Sequence, residues 1–580
     1  MSGYKKIDLH FKSQIAYLPE IADFEWDSII LSSWFDSNDL ISPASGECRL
    51  ADSTVDLLRT CSQSLAVGGL LFIYGAPHRL PAYAAILDGL GDEWRMDFKY
   101  WIGIQLNNKS KPRDMQSAHV GLLLFHKVAR KGITPFDIGS TVRVPHVDCP
   151  ACGKNIRDWG GKKHLMNPEG VALSDVWLDL PARPIAGNRM PGDVLDRVRA
   201  LAGGEGKRVL HLLEGEASVG SARTSVNVAE TDEASSSDLL KLDSVLATDC
   251  VKYMESLLPE YENKAFDLIF ADPPYNLDKM YADYKDAHAG EDYLAWCDKW
   301  LELCARLLKP GGTLFALNLP KWALHHARTL DKFLDFRHWI VWQALAEPRG
   351  KIMPAHYALL YYTKPGLPPV FNYRTDSRNC VGPLDSPEYC LRATCIKKRK
   401  GKGDDKKVPL TDIWSDIYRI RHKKDRDYHP CQLPEKLMER IIMLASDPGQ
   451  TVFDPLCGVG TTAIASKRLG RHFVTTDIDP AYVEITKQKL SMMEENLQET
   501  GQHVVPRTPT KRANRLITKK HIETVIQELA RNLNRLPEME DVQQAYPEIY
   551  EEIQVLYPNP RKALAAARHV ITPLQSKLEM

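Results

Sequence analysis

Residues 267–275 read DLIFADPPY, an apolar run of strand character that stops on Asp272, Pro273, Pro274 and Tyr275. The two prolines fix φ and remove backbone N–H donors, so the carboxylate of Asp272 and the carbonyl of Pro273 face outward without local competition. Both are acceptors. Together they can take the two hydrogens of an amino group attached to an aromatic ring, drawing its delocalised lone pair back onto nitrogen at a preorganised site. Tyr275 then offers an aromatic face on which a base taken out of a helix can stack. A proline turn closing a strand would read the same way, so the identity of the loop depends on what accompanies it.

A second strand end accompanies it. Residues 451–462 read TVFDPLCGVGTT, followed by the helical stretch AIASKRLG and the strand-like HFVTTDID. Strand, glycine loop, helix and strand form one half of a nucleotide-binding α/β sheet. Gly458 and Gly460 would allow close backbone approach to a ligand. Asp477, 19 residues beyond Gly458, is placed to hydrogen-bond ribose hydroxyls. The loop lacks a third glycine and a Walker lysine, so S-adenosylmethionine fits better than NAD or ATP.

With these motifs in hand, residues from about Leu242 to Leu497 resemble the amino-methylating DNA methyltransferases in the permuted β order, in which DPPY precedes the glycine loop. The shared stretches include ATDCVKYMESLLP, DPPYNLD, LLKPGGTLFAL, TDIWSD, HPCQLPEKLMERII and DPLCGVGTT with DIDPAYVEI. The resemblance implies a catalytic loop of Asp272, Pro273, Pro274 and Tyr275. It implies a cofactor site of Asp454, Pro455, Gly458, Gly460, Thr461 and Asp477, joined by Asp249, His429, Gln432 and Pro434. Asp in the first position of the loop favours adenine N6 over cytosine N4. The implied activity is methyl transfer from S-adenosyl-L-methionine to duplex DNA after base flipping. No metal is expected in catalysis, because the donor carries its own leaving group. A catalytically idle DNA-binding scaffold is the alternative from another class, and the intact acids and glycines speak against it.

In this family the target-reading segment falls at roughly 346–427. From Lys397 to Asp427 it holds twelve Lys or Arg against six Asp or Glu. Lys397, Lys398, Arg399 and Lys400, with Arg419, Arg421, Lys423, Lys424 and Arg426, suit phosphate contacts; the plainer reading is a solvated loop.

The first half repeats the second. SLAVGGLLFIYGAPHRLPAYAAIL (64–87) parallels LLKPGGTLFALNLPKWALHHARTL (307–330), and residues 96–127 parallel 334–364. SDVWLDLP (174–181) repeats TDIWSDIY (411–418), and 190–215 repeats 433–458. A repeat this long is a whole domain. The expected fold class is therefore α/β: two tandem Rossmann-like methyltransferase folds, residues 1–235 and 236–500, plus a small C-terminal α-helical domain at 501–580. The first copy is altered where chemistry is expected. Register from Asp27 puts Ser32, Ser33, Trp34 and Phe35 in place of DPPY, and His211 in place of Asp454. It reads as a degenerate copy supplying structure and DNA contacts, making the chain an internal pseudo-dimer.

Composition sets outer limits. A chain of 580 residues with 44% hydrophobic and 26% charged residues has the profile of a soluble multidomain protein. Lys plus Arg and Asp plus Glu both number 75, so nucleic-acid contact must come from local clusters. With no apolar run long enough for a bilayer and no signal core, a cytoplasmic location is expected. The 12 cysteines read as reduced thiols. His146, Cys149, Cys152 and His164 include one C-x2-C knuckle without a convincing second pair, and Cys380, Cys390 and Cys395 have no compelling spacing. The Ser-rich stretch 221–240 suits a boundary between copies. The tail faintly resembles the small helical DNA-binding repeat of homing endonucleases, through RNLNRLPEMEDV and NPRKALAAA, with eight basic and two acidic residues between Arg507 and Arg535. The expected partner is double-stranded DNA, with an endonuclease or defence-system protein as a further candidate, and no membrane.

Overall fold

A computed structural model describes residues 4–9, 21–32, 52–90, 95–106, 115–129, 133–139, 142–156, 166–182, 190–203, 206–214, 240–276, 279–280, 285–286, 290–344, 351–373, 380–403, 406–420, 432–500, 519–533, 535–547, 549–550, 553 and 564. The apolar strands assemble into two mixed sheets. The first contains β1 (Tyr4–Leu9), β2 (Trp26–Ser32), β3 (Leu65–Gly75), β4 (Met96–Leu106), β5 (His119–Lys127), β6 (Val176–Ala182) and β7 (Val209–Glu214), in the order β1-β7-β2-β3-β5-β4-β6. The second contains β8 (Ser244–Ala247), β9 (Phe266–Ala271), β10 (Leu308–Asn318), β11 (Asp335–Trp342), β12 (Tyr357–Thr363), β13 (Ile413–Trp414), β14 (Thr451–Asp454) and β15 (His472–Asp477), in the order β8-β15-β14-β9-β10-β12-β11-β13.

Six strands correspond one to one, in order and in direction. In both sheets the fourth of these (β5, β12) runs antiparallel to both neighbours while the other pairings are parallel. Register agrees to the residue. Trp26 pairs with Leu65 and Ser28 with Leu70, as Phe266 pairs with Leu308 and Leu268 with Thr313, with the same irregularity between them. Ser32 thus takes the position directly after β9, that of Asp272. Ile29 faces Leu210 and Ile269 faces Phe453, so His211 stands where Asp454 stands. Ser33, Trp34 and Phe35 lie outside the described residues. Among the described residues the first sheet has no counterpart of β15: β1 pairs directly with β7, whereas β8 reaches β14 through β15.

Helices cover the sheets because their apolar residues recur on one face. They are α1 (Asp52–Ser64), α2 (Leu80–Asp88), α3 (Gly192–Ala202), α4 (Cys250–Tyr261), α5 (Gly290–Leu307), α6 (Pro320–Leu330), α7 (Ala393–Gly401), α8 (Glu435–Ala445), α9 (Thr461–Arg468) and α10 (Pro480–Thr500). Both sheets belong to one compact unit, and one apolar cluster draws on both, including Leu80, Tyr83, Trp101, Leu324, Ala327 and Trp339.

The contacts between halves pair equivalent residues with each other. Trp101 stacks on Trp339 at 3.8 Å between centroids and 4° between planes; each is the sixth residue of its repeat, MDFKYW or LDFRHW. His119 Nδ1 lies 3.1 Å from Asp412 Oδ1, and reciprocally His356 Nδ1 lies 3.2 Å from Asp175 Oδ2. The N–H of Ala118 donates to Asp412 at 2.7 Å and that of Ala355 to Asp175 at 2.8 Å. Each half thus places a histidine against an aspartate of the other. All four members of the His–Asp pairs are buried. Burial opposes the charge of Asp412, but His119 and His338 outweigh it and hold the carboxyl at about 2.

A second, smaller unit takes in the described residues from Lys519 onward. In it α11 (Lys519–Leu533) and α12 (Met539–Ala545) share an apolar cluster of Ile522, Ile526, Leu529, Ala530, Val542, Ile549 and Ile553. Glu538 and Asp541 form a capping box at the start of α12. Among the described residues no helix is long and apolar enough to cross a membrane.

Candidate active site

In an open α/β sheet, ligands bind beyond the carboxyl ends of strands where the chain switches from one side of the sheet to the other. That place here is the end of β9, because β10 lies to one side of it while β14 and β15 lie to the other. A cavity of about 470 Å³ opens there. It is lined by Asp272, Pro273, Pro274 and Tyr275 from the end of β9, and by Asp454, Pro455, Gly458 and Thr461 from the end of β14. Asp477 at the end of β15, Asp249 ahead of α4 and Gln432 ahead of α8 complete the set. Pro434 is the N-cap of α8 and Gly460 that of α9, and neither is among the lining residues. His429 lies outside the described residues.

The DPPY loop is held by hydrogen bonds to its own backbone. Tyr293 Oη donates to the Pro274 carbonyl at 2.6 Å, and Trp322 Nε1 to the Tyr275 carbonyl at 2.9 Å. Asn318 donates in turn to Tyr293 Oη at 3.0 Å. The hydroxyl of Tyr275 donates to Asp272 Oδ1 at 2.7 Å. Its ring is only 3% exposed and packs against Tyr357. The open stacking face expected of Tyr275 is therefore covered in this conformation, since the side chain satisfies its hydroxyl on Asp272 instead.

The glycine loop is equally determined. Gly458 and Gly460 both adopt positive φ, 51° and 77°, which a side chain would strain. Their roles differ. The Gly458 N–H donates to Asp477 Oδ2 at 2.8 Å, tying the loop to the acid. At Gly460 a Cβ would fall 2.1 Å from Thr486 Cγ2, so this glycine serves the packing of α9 on α10. The Asp249 side chain caps α4 by accepting from the Lys252 N–H at 3.0 Å.

The cavity is strongly acidic. Six aspartates line it, Asp249, Asp272, Asp292, Asp454, Asp477 and Asp479, and among the described residues no Lys, Arg or His does. Asp454 is buried, accepts from Thr462 Oγ1 and the Leu456 N–H, and has its pKa pushed up to about 7, chiefly by burial, with Asp477 adding repulsion. Burial likewise raises Asp477, against the hydrogen bonds from the Asp479 and Gly458 N–H groups. Such a site disfavours phosphates and favours a cation.

Several lining residues carry no sequence signature. Tyr293 and Trp296, three apart on α5, face the cavity, where GEDYLAWC reads only as an amphipathic helix. Ile478 lines the cavity while 65% exposed; its position directly after Asp477 was the available signal. In the basic segment, Arg399 is 2% exposed and lies 4.3 Å over the Tyr389 ring. It is therefore turned away from the phosphate contacts expected of it, while Lys397, Lys398 and Lys400 are exposed. Arg421, Lys423, Lys424 and Arg426 lie outside the described residues. His146 bonds the Asn167 carbonyl at 2.7 Å and has no place in a cysteine cluster; His164 lies outside the described residues.

Residues 266–488, which carry both strand ends, match the model of a DNA methylase family. The chain is 38% identical over 248 residues to the Type II methyltransferase M.BamHI of Bacillus amyloliquefaciens, a match covering 42% of this chain and 55% of that relative. It is 31% identical over 251 residues to the Type II methyltransferase M.HpaI of Haemophilus parainfluenzae, covering 42% of this chain and 73% of that relative. The match thus spans about half of the first relative's length and about three-quarters of the second's. A solved structure of an M1.HpyAVI–SAM complex aligns with a TM-score of 0.30 and 20% identity, over 42% of this chain and 98% of that one. With the second relative covered over most of its length and the family model spanning both functional strand ends, the chain belongs to the DNA methylase family.

Proposed function

We propose that the chain methylates the N6 amino group of adenine in duplex DNA, with S-adenosyl-L-methionine as donor, after flipping the base from the helix. The observation that carries the reading is the cavity at the ends of β9, β14 and β15: six aspartates, no cationic side chain among the described residues, and the DPPY loop at one wall. A sulfonium donor with an ammonium group suits that field, whereas NAD or ATP would set phosphates against carboxylates. In this reading Asp477 holds the ribose hydroxyls, Ile478 gives apolar contact to the donor's ring, and Asp454 with the Gly458 turn holds the methionine end. The donor supplies an electrophilic methyl and its own leaving group. Asp272 and the Pro273 carbonyl accept the two amino hydrogens, localising the lone pair for in-line attack. Tyr275 leaves Asp272 when the base enters, since one carboxylate oxygen cannot serve both donors equally well, and its freed ring becomes the stacking surface. Similarity to two Type II methyltransferases supports DNA as substrate and makes a cognate endonuclease a natural partner.

The first half is proposed to be a second methyltransferase fold that has lost its chemistry, fused so that the chain forms its own pseudo-dimer. Matched strand order, matched register and the reciprocal His–Asp pairs support this. The basic helix α7 and the smaller unit that holds α11 and α12 are proposed to contact the DNA backbone. Incubating the protein with tritiated donor and duplex DNA, then digesting to nucleosides, tests the reading: label is expected in N6-methyl-2′-deoxyadenosine. Label in N4-methyl-2′-deoxycytidine would move the target base, and no transfer together with no saturable donor binding would overturn the activity.

A further inference from the structure

We propose that Cys149, Cys152, Cys390 and Cys395 form a structural zinc site that pins the two halves of the chain together. The pairs come from corresponding places: Cys149 and Cys152 lie in the insertion between β5 and β6, Cys390 and Cys395 in that between β12 and β13, with Cys395 in the first turns of α7. All four sulfurs lie within 4.8 Å of one another. Cys149 Sγ is 3.8 Å from Cys395 Sγ, and Cys152 Sγ is 3.7 Å from Cys390 Sγ. Zinc–sulfur bonds of about 2.3 Å directed to a tetrahedron place neighbouring sulfurs about 3.8 Å apart. These separations far exceed the length of about 2.05 Å that a disulfide requires.

The backbone around the first pair is shaped for the task. Cys149 N–H donates to the Lys154 carbonyl at 2.8 Å and Ile156 N–H to that of Val147 at 2.9 Å, closing a narrow hairpin. Its tip is CPACG, where the N–H groups of Cys152 and Gly153 reach the Cys149 carbonyl at 3.3 and 2.8 Å. Gly153 adopts φ +65° with open space around it, so the turn directs both sulfurs to one side. Three of the four cysteines are buried, packed with Tyr389 and Ile156. The buried guanidinium of Arg399 over Tyr389 adds positive charge beside what would be a dianionic centre. Four thiolates leave no open coordination position, so the site is structural. None of the four lines the acidic cavity.

Metal analysis of the full chain, produced in zinc-supplemented medium and purified under reducing conditions without chelator, tests the assignment. About one zinc per chain is expected, falling at least about fivefold in a Cys149→Ser/Cys395→Ser double variant and unchanged in Cys380→Ser. Should the double variant fail to fold, cobalt(II) added to the metal-free wild-type chain is expected to give intense d–d and thiolate charge-transfer bands of a tetrahedral sulfur site. Less than about a fifth of a zinc per chain, stoichiometric iron instead, full zinc retention by the double variant, or an octahedral cobalt spectrum would each overturn the proposal.

Discussion

Ser32 and Asp272 end equivalent strands, as His211 and Asp454 do, and the two pairs satisfy themselves differently. Ser32 Oγ lies 3.1 Å from His211 Nε2, and both side chains are buried. Two polar groups thus close the strand end between them, which is the inexpensive way to bury hydrogen-bonding atoms. At the other strand end the acids are held by groups outside the pair: Tyr275 on Asp272, Thr462 and the Leu456 N–H on Asp454. A carboxylate kept buried beside another carboxylate is costly, and a fold retains it only where something else is gained. The comparison teaches that the framework tolerates removal of the acids, so their presence at the second strand end points to function rather than folding.

The largest effect should come from breaking that asymmetry directly. Asp272→Ala is expected to lower methyl transfer by about a thousandfold or more, since it removes a preorganised acceptor, while Ser32→Ala leaves the rate within about twofold. Labelled-methyl incorporation reads both. A loss of rate in Ser32→Ala, with folding and DNA binding intact, would make the first strand end a working site and end the comparison.

Where the halves agree, the test is reciprocity. Asp412→Ala strands the buried imidazole of His119 and the partly exposed one of His338, and is expected to cost about 3–5 kcal/mol in urea unfolding; Asp175→Ala, facing His356, should cost less. The sign with pH follows from a depressed folded pKa. The contribution of Asp412 is complete above the ordinary carboxylate value of about 4 and is lost as pH falls toward about 2. Unchanged unfolding midpoints in both variants would show that the reciprocal pairs do not hold the interface.

Gly460→Ala probes the glycine loop, which the first half lacks among its described residues. A Cβ 2.1 Å from Thr486 Cγ2 should cost about 1–3 kcal/mol of stability. A Thr486→Gly partner should restore part of it, the part not due to positive φ. Thermal unfolding of the two variants separates packing from ligand approach. A Gly460→Ala chain of normal stability with weakened donor binding would return this glycine to the role first expected of it.

Much of this was legible because its information is local. DPPY and DPLCGVGTT declare their turns through proline and glycine, and matched apolar spacing put Ser32 and His211 at the strand positions where the register places them. What escaped was non-local. Cys149 and Cys395 are 246 residues apart, so the second half of a C-x2-C knuckle could not be found by spacing, and His146 and His164 were the nearest candidates in sequence. Arg399 reads as a phosphate contact in a run of four cations, but one helical face carries it inward onto Tyr389. The covering of Tyr275 by Tyr357 likewise depends on β12 lying beyond β10, a fact of topology that no motif contains.

The smallest effect sharpens the comparison furthest, because it turns on a proton that His211 cannot reproduce in kind. Asp454 titrates near 7, well above an unperturbed aspartate, so the folded chain without donor binds a proton more tightly than the unfolded chain does. Its contribution to stability is therefore complete below about 4 and lost as pH rises through about 7. Donor binding should run the other way. If the ionised carboxylate receives the donor's cationic methionine end, affinity rises roughly tenfold between pH 6 and 8, the span over which a group titrating at 7 goes from mostly neutral to mostly charged. Asp454→Asn is expected to flatten both curves at once, the stability loss and the affinity gain. Calorimetric titration of the donor across that range, beside unfolding of the donor-free chain, distinguishes this from a packing role. A buried acid that mattered only for packing would show the first slope without the second.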